Sequence, residues 1–385
     1  MSVFRISLLA SIALVLLALS PCLAESGVTD SEIVLGTSNA LSGQSALAGK
    51  ETNIGIDSYI KEVNSKGGVA GRKIRIVSAD DKYEPEAAIT CFNNLMQQGV
   101  FAISGMYGGA CSAKYIPMAM NNKVPLVGFY NGSYFCTNPI KNYIFTTRCS
   151  YRDEMREAVD QLWKRGVRKF AMIYQNDAFG ADCMEGMKAA LKAHNTELVA
   201  VSSYTRNTID VEQSVNDVKK ADPEAVMLGA VYKPAAAIVK LAKKLNWSPI
   251  FVLCTGTDVY QFIKDAGDAA NKNVVFTEAA PVPTSTDLPL LVTYQKALKR
   301  YYPQEKPNYA SLLGYLDAVA FVEGLKRTGK DLTREHFVNA MESIHNDDVG
   351  LGKGMELRYS PTDHMGFHKV FFGSIKNGAV LSSKG

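Results

Sequence analysis

The chain has 385 residues, enough for two domains or three small ones at ~100 to 200 residues each, every one able to bury a core. Its 47% hydrophobic, 21% charged and 9% aromatic content excludes a disordered, fibrous or disulfide-stapled mini-protein. The 42 basic and 38 acidic residues are mixed along the chain and leave a net charge of +4, which is no electrostatic footprint for nucleic acid.

Arg5 precedes an apolar stretch from Ile6 to Leu19, followed by Pro21 and Cys22-Leu23-Ala24, with small residues where a signal peptidase reads. Residues 1–24 therefore read as a cleavable secretory signal, too short for the ~20 residues of a bilayer span, and the mature chain is expected to be soluble. Pro21 stands where a lipoprotein signal needs a small residue, so acylation of Cys22 is disfavoured. Six cysteines remain beyond the signal: Cys91, Cys111, Cys136, Cys149, Cys183 and Cys254. An even number in an exported chain permits disulfides, and the short-loop pairs Cys91 with Cys111 and Cys136 with Cys149 are the simplest of 15 connectivities. Histidines are scattered and no Cys/His spacing suits a metal, so none is expected.

Glu32 to Thr37 reads as a buried strand, and Ile56, Tyr59, Ile60 and Val63 mark one face of a helix that ends in Gly67-Gly68. Lys73 to Ser78 is the next strand, closed by Asp80-Asp81, a pair expected at a surface or a cap because adjacent residues of an extended segment point opposite ways. Pro85 opens a helix striped by Ala88, Cys91, Phe92 and Leu95. Strands follow at Val100 to Ser104, Val124 to Val127 and Tyr143 to Thr147.

The same grammar then restarts. Helices marked by Met155, by Met184, by Val211 and by Ile238 alternate with strands at Lys169 to Tyr174, Glu197 to Ser202, Ala225 to Gly229, Ile250 to Leu253 and Val274 to Thr277. A helical stretch around Tyr294 and Leu312 and a β-rich tail from Met355 to Leu381 complete the chain. Strands separated by helices mean parallel βαβ sheets, and two such series imply two doubly wound, Rossmann-like α/β lobes.

In open parallel sheets ligands bind at the carboxyl ends of the strands, so a few loops hold the candidate site. In the first series these are Tyr107, Gly108, Gly109, Ala110, Cys111 and Ser112, then Tyr130, Asn131, Gly132 and Ser133. The second series contributes Phe179, then Tyr232 and Lys233, then Thr255 and Gly256. No GxGxxG, Gly-Lys-Ser/Thr or GxSxG signature is present and no catalytic constellation is found, so neither an enzyme nor a cofactor is expected.

From Ser26 to about Ser382 the chain resembles type I periplasmic solute-binding proteins of ABC transporters, the group similar to leucine/isoleucine/valine-binding protein. The matching stretches are Ile33-Val34-Leu35-Gly36 with Leu41-Ser42-Gly43, Val63 to Arg72, Asp80-Asp81 with Pro85, Val124 to Val127, Tyr174 to Gly180, and Gly314 to Ala318. The resemblance implies a three-strand hinge with crossings near Ser150, Ala279 and Gly352. It makes 25–149 with 280–352 an N-terminal lobe, and 150–279 with 353–385 a C-terminal lobe. It implies a periplasmic monomer that closes on a small carboxylate, amide, aromatic acid or amino acid and delivers it to an inner-membrane ABC permease; a ligand-sensing receptor or a true branched-chain amino acid binder are the alternatives. The family's acidic anchor for a ligand ammonium falls at Thr255, so a ligand without an ammonium is expected, with Asp258 as the substitute anchor if the loop is displaced.

Overall fold

The computed structural model describes residues 25–382; the expected signal segment lies outside them. In chain order the first series runs β1 (Glu32–Asn39), α1 (Ala46–Ser65), β2 (Lys73–Asp80), α2 (Pro85–Gln97), β3 (Ala102–Tyr107), α3 (Gly109–Asn122), β4 (Leu126–Tyr130) and β5 (Ile144–Phe145). These strands form one parallel sheet in the order β2-β1-β3-β4-β5. The second series runs α4 (Tyr151–Lys164), β6 (Phe170–Gln175), α5 (Ala178–Ala193), β7 (Ala200–Tyr204), α6 (Glu212–Lys219), β8 (Ala225–Gly229), α7 (Tyr232–Lys244), β9 (Ile250–Leu253), α8 (Val259–Ala266) and β10 (Val274–Glu278).

Three helices follow, α9 (Pro289–Tyr301), α10 (Tyr309–Thr328) and α11 (Arg334–Glu342), then β11 (Phe371–Lys376) and β12 (Ala379–Ser382). The second sheet has the order β12-β11-β10-β9-β8-β6-β7, with β11 and β12 antiparallel to their neighbours and the rest parallel.

The helical return belongs to the first sheet. Helix α10 is buried along nearly its whole length, and it crosses α1 so closely that a Cβ at Gly55 would lie 1.9 Å from the Ser311 carbonyl oxygen. Backbone cannot yield as a flexible side chain can. Gly55→Ala is therefore expected to cost about 1 to 3 kcal/mol, the range for overpacking, measurable as a lowered urea midpoint at unchanged slope.

Three differences from the sequence reading have physical causes. Strands β3 and β4 continue past the predicted ends because Gly105 (φ 72°) and Gly128 (φ 77°) adopt left-handed conformations inside the strands, side by side in the sheet. Glycine reads in sequence as a strand end; here it lets both strands bend and still pair, so Tyr107 and Tyr130 become strand residues. Residues 355–366 are not a regular β tail: they lie along the first sheet, with Thr146 bridged to Met365, Leu357 to Asp347, and His364 stacked on Phe145 at 4.1 Å. The last crossing to the second sheet therefore follows residue 366 rather than Gly352. Finally, the six cysteines among the described residues are all free and buried, so neither short-loop disulfide forms; both expected pairs sit as small apolar groups in packed interiors.

Candidate functional site

The carboxyl ends of β3 and β4 face those of β6, β8 and β9 across a cleft. Tyr107, Gly108, Tyr130, Phe179 and Gly256, all expected at the site, line one cavity with Tyr83, Tyr151 and Val231. Tyr107 stacks on Tyr130 at 5.3 Å, Tyr83 meets Tyr107 edge-on at 5.1 Å, and Tyr151 meets Phe179 edge-on at 4.9 Å. The rings leave about 10 Å³ free, on the order of one water, so a solute enters only when the lobes part or the rings move.

Hydrogen bonds tie the lobes together around this cage. The Tyr130 hydroxyl donates to the Thr255 carbonyl at 3.0 Å, and the Tyr232 hydroxyl donates to the Gln44 carbonyl at 2.6 Å. Gln175 Nε2 donates to the Tyr83 hydroxyl at 2.7 Å, and the Tyr134 N–H donates to Asp182 at 2.8 Å. At the rim Arg206 pairs with Glu84 at 2.6 Å.

Helix α3 starts at Gly109 behind Gly108 (φ 85°), and no side chain caps it. A Cβ at Gly109 would lie 2.9 Å from Ser133 Oγ and 3.0 Å from the Phe179 nitrogen, so this helix start sits against the second lobe. That end is a cradle for an anionic or carbonyl group. By contrast α5 carries its own anion: Asp177 accepts from Phe179 N and Gly180 N at 3.0 and 3.2 Å.

Several expected residues turn away from the cleft. Lys233 is exposed: α7 begins at Tyr232, and once Tyr232 points inward the helical twist sends its neighbour to solvent. Cys111 is buried in the first lobe, where burial and the nearby Asp81 push its thiol up. Ser112 Oγ donates to the Gly108 carbonyl at 2.8 Å. Asn131 Oδ1 accepts from Ser133 N and Oγ at 3.1 and 2.8 Å, a closed turn inside the first lobe. Gly132 leaves room for the Arg148 guanidinium, which a Cβ would approach to 2.8 Å.

Thr255 bears no charge; its N–H donates to Glu154 at 2.9 Å. Asp258, three residues on, caps α8 by accepting from Gln261 N at 3.1 Å, and its Oδ2 is buried with no hydrogen-bond partner.

Two residues of the cage carried no signal in the sequence reading. Tyr83 lies between Asp80-Asp81 and Pro85, a stretch already singled out. Its φ of 62° and its fully buried ring show why Asp81 is buried too: Asp81 accepts the Tyr83 N–H at 2.9 Å and the Ser38 hydroxyl at 3.0 Å. Asp80 does cap a turn, accepting from Leu41 N and Ser42 N. Only half of the acidic pair is at the surface. Tyr151 opens α4 behind the capping box of Ser150 and Asp153, at the first crossing between lobes.

The crossings carry buried charge. Asp317 of α10 accepts the Thr147 hydroxyl, and burial pushes its carboxyl up to about 8 despite that bond and the nearby Arg148. Its value in the unfolded chain is near 3.8, so the folded state holds the extra proton between those limits and loses that stability as pH rises through 8. Up to about 1.4 kcal/mol per pH unit is expected from one such group. Thermal melts from pH 5 to 9 check it: the parent should melt lower at high pH, and Asp317→Asn should flatten the profile.

Two α/β sheets facing one closed aromatic cleft define a two-lobed binding protein. Over residues 32–379 the chain matches the family described as periplasmic binding protein, and it belongs to that family of substrate-binding proteins. Leu/Ile/Val-binding protein homolog 8 of Brucella abortus (strain 2308) is 22% identical over 348 residues, covering 85% of this chain and 84% of that protein. Among solved structures, a possible leucine/isoleucine/valine-binding protein from Rhodopirellula baltica SH 1 superposes with TM-score 0.87 at 27% identity, covering 92% of this chain and 96% of that one. A branched chain amino acid ABC transporter protein from Thermus thermophilus with bound valine shares the fold at TM-score 0.84 and 20% identity, with 93% and 96% covered. No helix among the described residues is long and apolar enough to cross a membrane.

Proposed function

We propose that this chain captures a small organic solute between its lobes in the periplasm, after loss of residues 1–24, and delivers it unchanged to an ABC permease as a monomer. The observation that carries this reading is the cage of Tyr83, Tyr107, Tyr130, Tyr151 and Phe179, assembled from both lobes and shut by hydrogen bonds between them. Such a site is complete only when closed, so ligand binding and lobe closure are one event, and the closed surface is what a permease reads. The uncapped start of α3 suits a carboxylate, amide or carbonyl, and the rings suit a flat or branched apolar body. The names of the relatives, Leu/Ile/Val-binding proteins, agree with a solute of amino-acid size.

A thermal-shift screen of amino acids, aromatic acids, amides and short carboxylates tests it. A ligand at ~100 times its dissociation constant adds about 2.7 kcal/mol, a shift of several degrees. Calorimetry should then give one site per chain, and chromatography after incubation should return the solute unaltered. A panel with no shift, or a converted solute, would overturn the reading.

A further inference from the structure

The second lobe has a cavity at the end of its sheet opposite the cleft. It opens beside the segments that enter β9 and β10, whereas the cage lies where the strands end. Its volume is about 310 Å³, against about 10 Å³ left free in the cage. A dry cavity of ~150 Å³ already holds benzene, so this one has room for a ring with a short substituent.

Local sequence builds its walls. After α7 ends, Asn246 takes a left-handed conformation (φ 50°), and the Trp247 N–H returns to the Ala242 carbonyl at 3.0 Å. The indole thereby meets Phe251 of β9 edge-on, with ring centroids 5.7 Å apart and planes at 86°. Trp247 is 8% and Phe251 2% exposed, and Ala269 of the short 3-10 helix Gly267–Asn271 completes an apolar floor. Hydrogen bonds fasten these parts: Asn273 Nδ2 donates to the Ser248 carbonyl at 3.0 Å, and the Gly378 N–H donates to Asn271 Oδ1 at 2.6 Å. The floor is preformed.

Charge and an unused donor stand around it. Lys243 of α7 and Lys272, just past the 3-10 helix, both line the cavity, and neither has an ion-pair partner among the described residues. Elsewhere in this lobe exposed lysines do pair, Lys188 with Glu185 and Lys220 with Asp217, each at 3.0 Å. Asp268 is the one acid of the lining and bonds to neither lysine, so the two lysines leave the cavity net positive. No described residue accepts the indole N–H of Trp247. A ring lodged here would bury apolar area against the indole, and a carboxylate beside it would meet two ammonium groups that otherwise face only water. An amine would meet the same two as repulsion.

We infer that the second lobe holds a second small-molecule site, for an aromatic carboxylate whose ring lies against Trp247 and Phe251 and whose carboxylate is held by Lys243 and Lys272. This goes beyond solute capture in the cleft and does not rest on it.

Trp163 and Trp247 are the chain's two tryptophans, and Trp163 stacks on His194 elsewhere in the lobe. In the full mature chain carrying Trp163→Phe, tryptophan emission therefore reports Trp247 alone. 4-Nitrobenzoate is expected to quench it saturably, while 4-nitrobenzyl alcohol quenches only in proportion to its concentration. Lys243→Gln with Lys272→Gln, both at exposed positions, should raise the half-saturating concentration at least tenfold. Gly256→Val, which fills the cage, should leave it unchanged. Loss of saturable quenching in Gly256→Val would put the acid in the cleft and overturn the second site while solute capture stands. Quenching by the acid that never saturates, equal saturation by the alcohol, or an unchanged midpoint in the double lysine variant would each overturn it as well.

Discussion

Replacing Arg148 by methionine is expected to cost about 3 to 5 kcal/mol of stability, the range for breaking a buried ion pair from one side. Arg148 and Glu154 are both wholly buried and bonded to each other at the first crossing between lobes. Glu154 also accepts from Thr255 N at 2.9 Å and from Thr277 Oγ1 at 2.8 Å, so one carboxylate joins the crossing, the β9 loop and the end of β10. Arg148 lies over the Tyr151 ring at 4.8 Å and donates to the Cys149 carbonyl at 3.1 Å.

Without the guanidinium, Glu154 keeps its burial and loses its counter-charge. Burial already pushes its carboxyl up, and the Arg148 charge opposes that. In the variant the folded state therefore binds a proton the unfolded chain has released, which favours folding at low pH and is lost as pH rises. Urea denaturation at pH 5 and 8 measures this: the deficit should be smaller at pH 5, and Arg148→Met with Glu154→Gln should recover part of it. A deficit below about 1 kcal/mol at pH 8 would show that the pair does not hold the crossing.

Replacing Gly256 by valine is expected to abolish capture while leaving the lobes folded. A Cβ there would sit 2.8 Å from Phe179 Cζ and 3.4 Å from the Tyr151 hydroxyl, so the isopropyl group would occupy the cage from inside. Both rings line the cavity from the second lobe, whose apolar cluster they also join, so the obstruction falls on the wall of the cleft. Affinity for the best ligand of the screen should fall at least about 100-fold, near 2.7 kcal/mol at 1.4 kcal/mol per tenfold, by calorimetry. Circular dichroism should stay unchanged. Retained affinity would place the solute elsewhere.

Much of this molecule was legible before any coordinates. Runs such as Ala225–Gly229 and Ile250–Leu253 are apolar throughout because both faces of a parallel strand are covered, and their alternation with amphipathic helices sets the lobe architecture. Loops at strand ends gave Tyr107, Gly108, Tyr130, Phe179 and Gly256, because the rule about carboxyl ends depends on topology alone. Side-chain direction was another matter. Lys233 and Asn131 were expected in the cleft by position, yet one faces solvent and the other bonds within its own turn.

The sequence by itself determined most of the strands and helices, that they build two parallel α/β lobes, and which loops border the space between them, since periodicity and glycine placement are local properties; it missed the helices Val259–Ala266 and Arg334–Glu342. Tertiary structure alone decided that Gly105 and Gly128 bend strands instead of ending them, that the last crossing follows residue 366, and that Tyr83 and Tyr151 complete the cage. These depend on which surfaces meet when two lobes close, and contact between residues distant in sequence leaves no mark in local pattern.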